Sequence, residues 1–135
     1  MDRQWWDMHI EDVRLRFAGE KLSSCNLVKR HGIGVVGRMG IGWEPHGNSG
    51  AGCVALAAAY GASKIIMLGY DCQRTGGQAH WHGDHPKGLG NAGAMPRWAG
   101  QFQQLRNKYK DANIVNCSRA TALECFSKGI LEQEL

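Results

Sequence analysis

The stretch from Asn48 to Asp71, NSGAGCVALAAAYGASKIIMLGYD, constrains this chain more than any other. Asn48 and Ser49 are residue types that cap helix N-termini. Residues 51–60 are apolar, mostly small and uncharged, and Gly61 stands where a helix C-terminal glycine belongs. Lys64–Gly69 (KIIMLG) is then a short apolar run, β-branched at its start, as expected of a strand covered on both faces. A helix with no charge and many alanines belongs against other structure rather than in water. In an α/β unit the helix starts at the edge where one strand ended, and the next strand returns to that edge. Asn48–Gly50 and Tyr70–Asp71 are therefore expected side by side at the carboxyl edge of a parallel sheet. Ligands bind at that edge in open α/β sheets.

The flanks agree with one α/β domain spanning residues 1–135. Residues 1–18 suit an amphipathic helix, with Trp6, Ile10, Val13 and Phe17 at spacings of three and four. The adjacent Trp5 and Trp6 are read as capping the core. Gly32–Val36 (GIGVV) reads as a strand. It carries G-x-G-x-x-G at Gly32, Gly34 and Gly37, but no helix can open in the RMGIGWEPHG that follows, so it is not taken as a dinucleotide fingerprint. After Asp71 comes a long polar loop rich in Gly and His, of a length that suggests a ligand-covering segment. Pro96 suits a first helical turn, and Trp98, Phe102, Leu105 and Tyr109 mark the apolar face of a helix over 97–109. Asn113–Asn116 reads as a strand, Ser118–Phe126 as a short helix capped by Ser118. No repeat or linker interrupts the chain.

Composition limits the partners. A net charge of +4 with scattered basic residues permits an anionic ligand but lacks the dense basic patch of a nucleic-acid binder. There is no apolar run of about 18 residues to span a membrane, and the start, MDRQWWDMHIED, has no signal-peptide core. Five cysteines, an odd number without CxxC spacing, read as free thiols in a reducing cytoplasm. Cys53, inside the apolar helix, is expected to be a small core residue. Glycine, 19 of 135 residues, is about twice its usual share of about 7%. It concentrates in two loops, one on each side of the 48–71 unit.

Two constellations can carry chemistry. His80-Trp81-His82-Gly83-Asp84-His85 fits H-x-H-x-D-H, the zinc motif of metallo-β-lactamase-fold hydrolases. Alternate histidines can converge on one cation there, and the aspartate and third histidine on another. That fold needs further ligands downstream, and this chain has no histidine after His85. The three histidines are read as polar loop residues, one of them facing a ligand, with no metal assigned; a smaller metal site is the lesser alternative. The second constellation is the sheet edge. N–H groups and a partial positive charge at Asn48, Ser49 and Gly50 suit a phosphate or carboxylate. Tyr70 and Asp71 end the adjacent strand, where the Asp71 carboxylate can accept bonds from a sugar or base. Asn116, Cys117 and Ser118 end the next strand. Taken together they read as one ligand site.

These residues resemble a known group. NSG with its alanine-rich helix, KIIMLGYD, a loop with HWHGDH, and NIVNCSRATAL after a helix are similar to phage and prophage proteins. That group is described as 6-hydroxymethylpterin diphosphokinase MptE-like, or as phage norphogenetic proteins. The likeness covers residues 45–126 and extends to Trp5, Trp6 and His9. More distantly the chain resembles bacterial CMP-sialic-acid sialyltransferases, in the Ser-Gly helix start, the Gly69-Tyr70-Asp71 strand end and the segment holding Ser118. The resemblance implies a Rossmann-like three-layer sandwich with a mostly parallel sheet and helices on both faces. It implies nucleotide binding by Ser49, Gly50, Asp71 and Ser118. The sialyltransferase base does not carry over, because GNAGAMP, ahead of the helix, has no histidine. The phage group has a further strand–loop–helix–strand unit before the tryptophan pair, so a minimal form, a truncated domain, or a partner that fills the gap, is expected.

Three readings follow. The first is a phage or prophage protein of the host cytoplasm that binds a nucleotide or nucleotide sugar. As a glycosyl or diphosphate transferase it would use His80, His82 or His85 as catalytic base. The second is an inactive phage accessory or assembly protein, a homo-oligomer through Trp5 and Trp6. The third is a metal-dependent hydrolase through HWHGDH. No pattern names a cofactor.

Overall fold

A computed structural model describes residues 3–135. The chain mixes helices with short strands, and every strand pair is parallel. The first helix, α1, runs from Arg3 to Arg16; Met1 and Asp2 of the expected helix lie outside the described residues. Trp6 and Ile10 point inward and form a small core with Val28 and Ile33. The ring of Trp5 meets Trp6 edge-on at 5.2 Å. Trp6 thus caps a core, as expected, and does not offer a free face. Phe17 was expected on the same stripe. The helix stops before it, and it is 52% exposed. Asp7 anchors α1 from outside: its carboxylate accepts from Arg30, and His31 Nε2 lies 2.8 Å away. His31 first, then Arg30, holds that carboxyl below its usual range.

Two-residue strands β1 (Leu22–Ser23) and β2 (Gly34–Val35) pair with Leu22 opposite Gly34. A 3-10 helix over Asn26–His31 joins them, ended by Gly32 at φ 74°. The expected strand at Gly32–Val36 is therefore shorter, and its pairing partner carried no sequence period. The third glycine, Gly37, lies inside a 3-10 turn at Val36–Arg38, so the motif opens no α-helix.

The next helix, α2, covers Ser49–Ala59 with Asn48 as N-cap. Beyond Tyr60, the Gly61 N–H donates to Ala58 and the Ala62 N–H to Ala57. With Gly61 at φ 77°, this is a Schellman stop. Strand β3 (Ile65–Met67) pairs with β4 (Ile114–Asn116), and β4 with β5 (Ser127–Lys128). Helix α3 (Met95–Lys108), with Pro96 in its first turn, connects β3 to β4 after the long loop. A last turn, α4, covers Leu131–Glu134.

The main core joins Ala51, Val54 and Ala55 of α2 and Phe102 and Leu105 of α3 to Ile65, Met67 and Ile114 of the sheet. Each fully buried large side chain there contributes about 1.5–3 kcal/mol. Val115 points the other way and meets Gly129 so closely that a Cβ there would lie 2.6 Å from its methyl. The tail from Gly129 covers that face, and Lys64 pairs with Glu134 at 2.7 Å.

Three expectations change here. Strand β3 is not covered on both faces: it is a sheet edge, Ile66 is only partly buried and Leu68 is exposed. Cys53 is exposed and not a core residue, because α2 turns Ala51, Val54 and Ala55 inward and leaves position 53 outside. Residues 118–126 form no helix. Ser118 instead takes the backbone N–H of Tyr70 at 2.7 Å, and the Asp71 carbonyl takes the N–H of Ala122 at 2.8 Å. All five cysteines are free thiols. Among the described residues, no helix is long and apolar enough to cross a membrane.

Candidate functional site

Two of the three expected edge segments come together, and the third does not join them. Asn48, Ser49 and Gly50 at the start of α2, and Tyr70 and Asp71 after β3, line one cavity of about 630 Å³. Ser24, Cys25, Cys72, Trp98 and Phe102 complete its wall. Asn48 builds the corner. Its Oδ1 accepts the Ala51 N–H at 2.8 Å, and its Nδ2 donates to Gln101 Oε1 at 2.8 Å. Gln101 lies across Gly47, where a Cβ would sit 2.2 Å from Nε2. A side chain at 47 would displace Gln101, and the backbone there, at φ 83°, is one that favours glycine. Among the described residues, the N–H groups of Ser49 and Gly50 have no protein acceptor. They are orphan donors of a helix start, aimed with the positive end of the helix dipole.

Tyr70 is fixed from three sides. Its N–H donates to Ser118 Oγ, its carbonyl accepts from Thr121 Oγ1 at 2.7 Å, and its ring stands edge-on to Phe102 at 5.7 Å. Burial, then Cys53 and Cys72, pushes its hydroxyl up to about 12. The phenol therefore stays neutral and acts as a hydrogen-bonding wall. The Asp71 carboxylate accepts from Thr75 at 2.8 Å. Cys72 follows with a left-handed backbone, φ 52°. Burial first, then Asp71 and Cys125, pushes its thiol up to about 11, which makes it a poor nucleophile.

Asn116 and Ser118 lie on the far side of Asp71. They line a separate cavity of about 820 Å³ with Arg119 and Lys128. Asn116 is buried and engaged at both ends: Nδ2 donates to Thr121 and Oδ1 accepts the Ser118 N–H. These two residues thus brace the edge from behind.

No protein-family model, curated protein or solved structure matches this chain.

The three histidines of the loop converge. His80 and His82 stack with centroids 5.3 Å apart and planes 10° from parallel. His85 closes on His80 at 4.5 Å and on His82 at 5.0 Å. A turn makes this possible: the Gly83 N–H donates to the His80 carbonyl at 3.2 Å, with Gly83 at φ 85°. Asn91 Oδ1 takes the His85 N–H and holds the return. Burial, then His85 and His82, lowers the pKa of His80, so its ring is neutral near pH 7. His80 also lines a cavity of about 620 Å³ that shares Gly69, Asp71, Cys72 and Trp98 with the first.

Sequence reasoning missed Ser24, Cys25, Cys72, Trp98 and Phe102 as lining residues. Ser24 and Cys25 follow a two-residue strand that no period reveals. Trp98 was visible only as an apolar position on α3, and it lines two cavities rather than joining the core.

Proposed function

We propose that this chain binds a nucleotide or nucleotide sugar at the edge formed by Asn48–Gly50 and Tyr70–Asp71. One observation carries the reading: the residues of a helix start with unpartnered N–H donors and a strand-end aspartate line the same cavity. The donors suit a phosphate oxygen. Asp71 suits the hydroxyls of a sugar, which need an acceptor. Neutral Tyr70 and the ring of Trp98 suit the flat face of a base. The reading fits a Rossmann-like three-layer α/β sandwich of the phage MptE-like type, and distantly the sialyltransferases. In a glycosyl or diphosphate transfer, the start of α2 would stabilise the leaving phosphate. The histidine loop, across the shared wall, would take the acceptor's proton.

The test is a thermal melt of the untagged protein with CMP, CTP, UDP, GTP, ATP and common nucleotide sugars. A ligand at about a hundred times its dissociation constant adds about 2.7 kcal/mol, a rise on the order of ten degrees for a domain of this size. Ser49→Glu places a negative charge at the helix start. It should leave the unliganded melt level or raise stability by about 0.3–1 kcal/mol, and it should abolish the nucleotide-induced rise. A rise unchanged in Ser49→Glu puts the site elsewhere. No rise with any nucleotide favours the accessory-protein reading.

A further inference from the structure

We propose that His80, His82 and His85 form a three-imidazole site for one divalent transition-metal ion, Zn²⁺ foremost. Each ring offers a ligand nitrogen, and the three lie within 4.8 Å of one another. His80 Nε2 is buried and has no hydrogen-bond partner among the described residues. A buried polar atom of that kind calls for a partner, and a metal ion is one that neutral imidazole satisfies. The loop around it is exposed and has no apolar core that would otherwise explain three rings in contact.

A metal–nitrogen bond is about 2.0–2.1 Å, so ligand nitrogens around a tetrahedral ion stand about 3.4 Å apart. Ring rotation with a small closure of the loop would bring the set from within 4.8 Å to that spacing. Gly83 and Gly88, both at positive φ, leave the backbone free to follow. Three imidazoles suit Zn²⁺, Co²⁺, Ni²⁺ or Cu²⁺, whereas Mg²⁺ and Ca²⁺ take oxygen ligands. Asp84 lies outside the group of ligand atoms. Three protein ligands leave a coordination position open, the arrangement of catalytic rather than structural zinc. The proton-accepting role proposed above belongs to the metal-free loop, because a ring nitrogen bound to the ion cannot also accept a proton. The site stands on the histidines alone and does not depend on nucleotide binding.

The experiment uses the full, untagged chain stripped of metal by chelation. Calorimetric titration with Zn²⁺ should give one ion per chain. Co²⁺ should give a visible spectrum without a thiolate charge-transfer band. His80→Ala, His82→Ala and His85→Ala should each weaken binding by about tenfold or more, while His9→Ala and His46→Ala bind as the parent does. Substoichiometric binding, a thiolate band, or equal binding by the triple variant overturns the proposal. A readout in the parent covers any variant that fails to fold. A trace of Ni²⁺ should broaden the ring C–H signals of His80, His82 and His85 among the six histidines. Broadening of other rings instead counts equally against the site.

Discussion

Asn48 and Gln101 meet amide to amide, 53 residues apart, through a bond of 2.8 Å. The same Asn48 side chain caps α2, so one residue both starts that helix and ties it to α3. Replacing Asn48 by Ala should destabilise the fold by about 1–2 kcal/mol, the usual range for a lost cap. Asn48→Asp keeps the capping oxygen, and Gln101 can turn its amide to donate, so that change should be close to neutral. Urea denaturation of both variants checks the pair. Equal losses in both would show that capping contributes little.

The Ser118 hydroxyl gives a second expectation. It accepts the N–H of Tyr70 across 48 residues. Ser118→Ala leaves a part-buried donor without a partner, at a cost of about 1–3 kcal/mol. Because Tyr70 and Asp71 line the proposed ligand cavity, the loss should also weaken any nucleotide bound there, although Ser118 lies behind the wall. Denaturation and ligand-induced melting shifts on the same sample separate the two effects.

Tyr70 should be visible in an alkaline titration. Its hydroxyl is raised from 10.0 to about 12, so absorbance should show a late phenolate step near pH 12 that Tyr70→Phe removes. The sign for stability follows. The folded state holds the proton more tightly than the unfolded chain, so this contribution is fully present below about pH 10. It is lost as pH rises from 10 through 12. A titration complete by pH 10.5 would mean that the ring is not buried as described.

Much of the central unit was legible because its signals are local. Asn48 announces a cap and Gly61 a left-handed stop, and both conformations occur. Pro96 likewise marks the start of α3. The expected helix at Ser118–Phe126 failed because polar side chains claimed its backbone. Asn116 takes the Ser118 N–H, and Thr121 takes the Leu123 N–H while donating to Tyr70. Ser, Thr and Asn compete with helices in this way, but sequence does not say which partner they will find. Strands of two residues, such as β1, are too short to carry a period. Exposure of Cys53 was invisible because α2 is apolar all round, and its inward face depends on where α3 and the sheet lie. The histidine spacing was legible as a motif. Its convergence needed the turn at Gly83.

The two hydrophobic cores have no buried residue in common. Such a chain can open in parts, with α1 and the 3-10 segment exchanging amide hydrogens ahead of the sheet. Cys25 packs against the small core and also lines the cavity that Tyr70, Cys72 and Phe102 of the large one line. A molecule seated there would work as a staple between the halves. It would slow hydrogen exchange in α1, a helix it never touches, and make the chain unfold as one unit instead of two.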